Sequence, residues 1–198
     1  MLSCRKKSVT LIELIIAITI VSVIILGINS ISIFSHYHLI SSDRRAKLQN
    51  DLSYCLDHIT KEASKAIGNE AVFTSGSVVR INPNTTLDIF TDANGNGMRD
   101  IVGSAPKDKW IRYWFDSANH QLKYYTGCTD ATSPSCAGTP EILTKKITAF
   151  IPSVDFVTNG NYIDVSITGR WNPASALSPD NPEITMQASV NLPSVSTH

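Results

Sequence analysis

Residues 8–33 read SVTLIELIIAITIVSVIILGINSISI, an apolar run that carries one charge, Glu13, near its start and follows three consecutive cations, Arg5, Lys6 and Lys7. The 26 residues from Val9 to Phe34 would extend about 39 Å as a helix at about 1.5 Å per residue, enough to cross a hydrocarbon core of about 30 Å. The short basic flank holds no acid, so the positive-inside rule keeps that end cytoplasmic and sends the rest outward. A secretory signal has an apolar stretch of only about 7–15 residues and a small-residue cleavage site, which fits poorly here. A generic anchor fits the length but leaves Glu13 unexplained, because a carboxylate at bilayer depth costs about 2.5–3.5 kcal/mol on insertion scales. A partner for that carboxylate is therefore expected.

The run S-VTLIEL-IIAITIV resembles the type IV prepilin signature, in which a basic leader is cut just before a hydrophobic helix bearing Glu at its fifth position. The resemblance implies cleavage between Ser8 and Val9 and N-methylation of Val9 by a prepilin peptidase/N-methyltransferase. Thr10, Leu11, Ile12, Glu13 and Leu14 match the motif, whereas Ser8 stands where Gly is usual and Val9 where Phe is usual. Ser is small and Val apolar, so both departures keep the character of the position. The resemblance also implies a role for Glu13 as an assembly contact, its carboxylate meeting the amine of a neighbouring subunit's first residue.

Three segments are expected: a leader over 1–8, a transmembrane and assembly helix over 9–36, and an extracytoplasmic α+β domain over 37–198. The last contains 14 Lys plus Arg and 16 Asp plus Glu, a balance with no nucleic-acid footprint. Leu48, Leu52, Leu56, Ile59, Ala63 and Ile67 recur every three or four residues, with Asp51, Asp57, Lys61 and Lys65 on other faces, so the anchor and this amphipathic stretch read as one helix. Gly68 and Asn69 predict its end, giving a rod of about 88 Å. Gly27 could loosen it, and Ser41, Ser42 and Asp43 could instead cap a separate second helix with a bend at 40–43.

Past Gly68 the apolar period falls to two, with strands predicted at 78–81, 87–91, 110–115, 121–125, 147–157, 162–167 and 184–192. Residues 116–119 read as a hairpin turn, and Asn159-Gly160 as a second, of the type I′ kind. Pro173, Ser175, Ser178, Pro179 and Pro182 mark a loop. A long helix followed by antiparallel sheet is an α+β layer arrangement, and it also resembles the pilin fold. Within that superfamily, LQNDLSYCLDHITKEASKAI, WIRYWFDSANHQLKYYTG, EILTKKITAFIPSVDF and YIDVSITGRW resemble PilW-like minor pilins and the J-type minor pseudopilins of type II secretion. That likeness implies a subunit that primes or caps a type IV pilus or pseudopilus, with other minor and major pilins or pseudopilins as partners and the bacterial inner membrane as reservoir. An adhesin or DNA-uptake subunit displaying a recognition domain on the same anchor is the alternative.

Cys4 belongs to the leader, and Cys55 sits on the apolar face of the amphipathic stretch as a buried small hydrophobe. Cys128 and Cys136 flank TDATSPS in an oxidising compartment and read as a disulfide rather than a metal site, for which nearby ligands are lacking. The run from Asp92 to Asp100 contains D-x-N-x-N-G, the opening of a calcium loop: Asp92, Asn94 and Asn96 as ligands, Met98 through its carbonyl, and Asp100 at the ninth position. Gly103 stands where such loops place a bidentate Glu, so a bound calcium would be weak and no cofactor is required. The competing reading is an Asn/Gly-rich connection whose Asx side chains bond their own backbone. No catalytic motif emerges, and none of the five His residues is spaced with a partner. Trp110, Tyr113, Trp114, Phe115, Tyr124 and Tyr125 read as hairpin residues half of which face the core.

Overall fold

The computed structural model describes residues 10–69, 79–82, 84–95, 97, 108–128, 136, 138–155, 162–192 and 194–196. The chain divides into two units, Met1–Asp43 and Arg44–His198. Helix α1, Leu11–Ala63, is a single element, so neither Gly27 nor Ser41-Ser42-Asp43 starts a new helix. In the first unit its large apolar side chains, from Leu11 to Leu39, are exposed, and by length and composition this helix could cross a membrane. Three hydroxyls in the run bond the helix itself: Thr19 donates to the Ile16 carbonyl at 2.8 Å, Ser22 to Ile18 at 2.8 Å and Ser30 to Leu26 at 2.9 Å. Such back-bonding satisfies these three donors where an apolar environment offers no water.

In the second unit the predicted stripe is the buried one: Leu48, Leu52, Cys55, Leu56, Ile59 and Ala63. The helix stops earlier than the stripe suggests. Lys65 N donates to Glu62 O at 3.1 Å and Ala66 N to Ala63 O at 2.9 Å, a tightened last turn. Ala66 then bridges to Thr91, and Ile67–Asn69 forms strand β1, paired in parallel with β10, Ser194–Ser196. Strand pairing therefore replaces the helical stop expected at Gly68-Asn69.

The remaining strands form two antiparallel sheets. The five-stranded one is a meander of β2 (Val79–Asn82), β3 (Thr86–Thr91), β4 (Lys109–Asp116), β5 (Gln121–Cys128) and β6 (Glu141–Thr144), in that order. The three-stranded one orders β7 (Ile147–Asp155), β8 (Tyr162–Arg170) and β9 (Glu183–Asn191). Strict alternation in β8 buries Ile163, Val165 and Ile167, the two-residue period seen in the sequence. Pro152 lies in β7, an edge strand, the part of a sheet that tolerates proline's missing N–H. Asp155 pairs with Tyr162 across the expected hairpin, whose turn at Asn159-Gly160 lies outside the described residues.

One core joins the helix stripe to both antiparallel sheets, with Tyr113, Phe150, Leu87, Leu122 and Ile167 fully buried in it. The Pro- and Ser-rich stretch 171–182 is a loop, held from within by Asn181. Its amide accepts from Asn172 N at 2.7 Å and donates to the carbonyls of Asn172, Ser175 and Ala176 at 3.0, 3.2 and 2.9 Å. The Arg44 guanidinium donates to the Asp180 carbonyl, tying the loop to α1.

Candidate functional site

Thr10 and Glu13 form a capping box at the start of α1. Thr10 N and Oγ1 donate to Glu13 Oε2 at 2.8 and 2.9 Å, while Glu13 N donates to Thr10 Oγ1 at 3.4 Å. The T-x-x-E spacing that makes this geometry was present in the sequence. It gives the sole charge between Thr10 and Phe34 a partner within its own chain and sets an anion at the positive end of the helix dipole. A carboxylate offers about four acceptor sites, and the box uses two, so the group retains the capacity to meet an incoming ammonium. Ser8 and Val9 lie outside the described residues.

Cys128 and Cys136 are joined, S–S 1.98 Å with Cα atoms 4.0 Å apart, and their backbones also bridge. The bond ties the end of β5 to the segment that follows. Cys55 is wholly buried, and burial, with the Asp51 carboxylate nearby, pushes its thiol up to about 12. A thiol so far from ionising is inert as a nucleophile at neutral pH.

The D-x-N-x-N-G segment starts where β3 ends. Asp92 N donates to Lys65 O at 2.9 Å, which anchors the segment beside the end of α1. Asp92 Oδ1 accepts from Asn94 N at 3.2 Å and Gly95 N at 2.6 Å, and Oδ2 from Gly97 N at 2.8 Å. Gly95 and Gly97 have φ of 72° and 70°, the left-handed region in which glycine is unstrained. These are the features of an Asx-stapled turn. Asp108 Oδ1 accepts from Ala93 N at 3.2 Å, so a further carboxylate reaches the segment. Asn96, Met98 and Asp100 lie outside the described residues, and the described residues contain no group of three or more His, Cys, Asp or Glu suited to a metal.

The aromatic cluster divides between two faces. Tyr113, Phe115 and Tyr124 are buried on the helix side, where His58 Nδ1 lies 2.9 Å from the Tyr113 hydroxyl and its ring 4.6 Å from that of Tyr124. Burial raises both phenols, Tyr124 to about 12, so they stay neutral. Sequence reasoning left His58 without a partner, since 55 residues separate it from Tyr113 and no local pattern marks the pair.

Trp110, Arg112 and Trp114 point the other way. Arg112 Nε and Nη2 donate to Asp88 Oδ1 and Oδ2 at 2.6 and 2.8 Å, a bidentate fork that raises the guanidinium still further from deprotonation. Arg80 stands 4.5 Å from the Trp110 ring centroid, and Lys123 4.8 Å from that of Trp114 while pairing with Asp116 at 2.6 Å. Arg80, Arg112 and Lys123 are thus each set against a ring or a carboxylate of a neighbouring strand. The sequence showed the residues but not these cross-strand pairings.

Residues 3–29 match the prokaryotic N-terminal methylation motif. No curated protein and no solved structure matches the chain. The motif covers the basic flank, Glu13 and most of the apolar run, and behind it α1 packs on antiparallel sheets through its second half. The match over residues 3–29 supports a type IV pilin-like reading, and the α+β arrangement of one long helix packed on antiparallel sheets behind it is pilin-like.

Proposed function

We propose that this protein is a minor pilin or pseudopilin, a structural subunit that primes or caps a type IV pilus or a type II secretion pseudopilus. The observation that carries the reading is Glu13, one acid in an otherwise uncharged membrane-length helix within the matched motif. An isolated carboxylate there is costly, and an assembly that supplies an amine from each neighbour compensates it. Before assembly the Thr10 box lowers the same cost. The chain would wait in the inner membrane with its N-terminus cytoplasmic and residues 37–198 periplasmic. A prepilin peptidase would cut between Ser8 and Val9 and methylate Val9, and the helix would then enter the filament beside other pilins or pseudopilins. The function is packing, not turnover.

Mass spectrometry of the mature protein from cells containing the peptidase tests the first step. The expected N-terminus is N-methylated Val9; an intact Met1, or a cut beyond residue 30, refutes the reading. Glu13→Gln should leave cleavage intact and reduce incorporation into sheared filaments, because the amide keeps the shape and removes the charge.

A further inference from the structure

The side of the five-stranded sheet turned away from α1 contains a cavity of about 300 Å³ lined by Thr86, Arg112, Trp114, Tyr125 and Cys136. Strand register builds it: Thr86 stands opposite Trp114, and Arg112 opposite Tyr125, so the four side chains share one face. Cys136 is brought to this face by its bond to Cys128. All five residues are half-buried, held by neighbours yet open to a ligand. The volume is at the small end of ligand cavities, roughly 300–1,000 Å³.

The chemistry of the lining selects among ligands. Arg112 is forked to Asp88, and neighbouring Lys123 is paired with Asp116; both cations are neutralised in place. A nucleic-acid strand needs an uncompensated basic track for its phosphates beside the stacking rings, and these two cations do not provide one. A purely apolar ligand would strand the hydroxyls and the charged fork without water, at the cost of unmade hydrogen bonds. What remains is a flat apolar ring face beside hydroxyls, on Thr86 and Tyr125, that both donate and accept. Those features complement a sugar, whose C–H face is apolar and whose rim is hydroxyl. Lys123, held by Asp116 against Trp114, fixes the indole in advance, which limits the ordering cost on binding.

We infer that this cavity is a binding site for a neutral carbohydrate, with a sugar ring against Trp114 and Tyr125 and its hydroxyls on Thr86 and the Arg112–Asp88 fork. This property is separate from filament assembly and does not depend on it.

The test uses the full chain in phosphatidylcholine nanodiscs, which present no sugar headgroup, titrated calorimetrically with cellohexaose, maltohexaose, mannohexaose, laminarihexaose and chitohexaose. Saturable binding of at least one is expected, unchanged when salt rises from roughly 50 to 500 mM, a range over which exposed charge interactions are screened. Trp114→Ala should weaken it about tenfold or more, the scale of a lost ring stack. Thr86→Val and Tyr125→Phe, which keep the shape of the sheet, should each weaken it roughly two- to tenfold, the scale of one hydrogen bond. The proposal is overturned if none of the sugars binds, or if binding survives undiminished in all three variants at wild-type melting temperature. Binding of an oligothymidylate that falls steeply with salt, with no sugar bound, also overturns it and assigns the face to nucleic acid.

Discussion

Gly169 lies in β8 between Ile147 of β7 and Ile184 of β9, where Leu48 and Leu52 of α1 close on the sheet. A Cβ added there would stand 2.8 Å from Leu52 Cδ2, 3.0 Å from the Lys146 carbonyl oxygen and 3.2 Å from Leu48 Cδ1. Leu48 and Leu52 are wholly buried, so neither can turn into solvent, and the Lys146 carbonyl is held by Arg170 N at 2.8 Å. Gly169→Ala must therefore move backbone or force a rotamer, at about 1–3 kcal/mol for overpacking. Removing glycine's freedom in the unfolded chain offsets about 0.4–1 kcal/mol. At mid-range the net is a destabilisation of about 1.3 kcal/mol, or a melting temperature lower by roughly 3–5 °C for a domain of this size.

Circular dichroism melts and urea titrations of the protein in detergent micelles measure this difference. Leu52→Ala alone should cost about 2–5 kcal/mol through the cavity it leaves. In combination with Gly169→Ala the cost should fall short of the sum by about 1 kcal/mol, because the closest contact is gone. A Gly169→Ala protein as stable as the wild type, or strict additivity in the double variant, refutes the argument that helix–sheet distance is set at this residue.

Replacing Cys128 and Cys136 by Ser opens a loop with a sequence separation of 8, worth about 2.5 kcal/mol of unfolded-state entropy; the melting temperature should fall, and reductant should bring the wild type down to the same value. Lys123, then Asn119, holds the Asp116 carboxyl down to about 2 from its ordinary 3.8. Because the folded value is the lower one, the stabilisation is complete above about pH 4 and is lost as pH falls toward 2. Asp116→Asn should therefore be less stable than wild type at pH 7, with the gap closing in that acidic window; a gap independent of pH refutes the pairing. Calorimetry with calcium on the full chain separates the two readings of the Asp92 segment: binding heat in the roughly 10⁻⁴–10⁻³ M range of weakly charged sites supports an ion site, and no heat at several millimolar leaves the Asx-stapled turn.

The elements most legible in the sequence are those with a local cause. The stripe from Leu48 to Ala63 is buried as its spacing requires, and β3, β4, β5, β7, β8 and β9 lie within a few residues of the two-residue periods. β1, β6 and β10 were not expected. They are three or four residues long and carry too little pattern to register. The early end of α1 has the same origin: Ile67 continues the helical stripe, yet a parallel partner at Ser194–Ser196 claims its backbone. Nor does composition divide the strands that follow α1 into separate sheets, because which strands pair is a non-local choice.

Glu13 shows the same division at a single residue. Its position in a membrane-length apolar run, the cations before it and the T-x-x-E spacing are properties of consecutive residues, and the sequence by itself determined the anchor, its expected orientation and the need to compensate that charge. The tertiary structure decided where the side chains behind the apolar run meet: His58 on Tyr113, Arg112 on Asp88, Lys123 on Trp114, and Gly169 beneath Leu52. The physical reason is range. Hydropathy and helical period act over a few residues, whereas these contacts depend on strand register and helix approach, which form only when distant segments bury a common core.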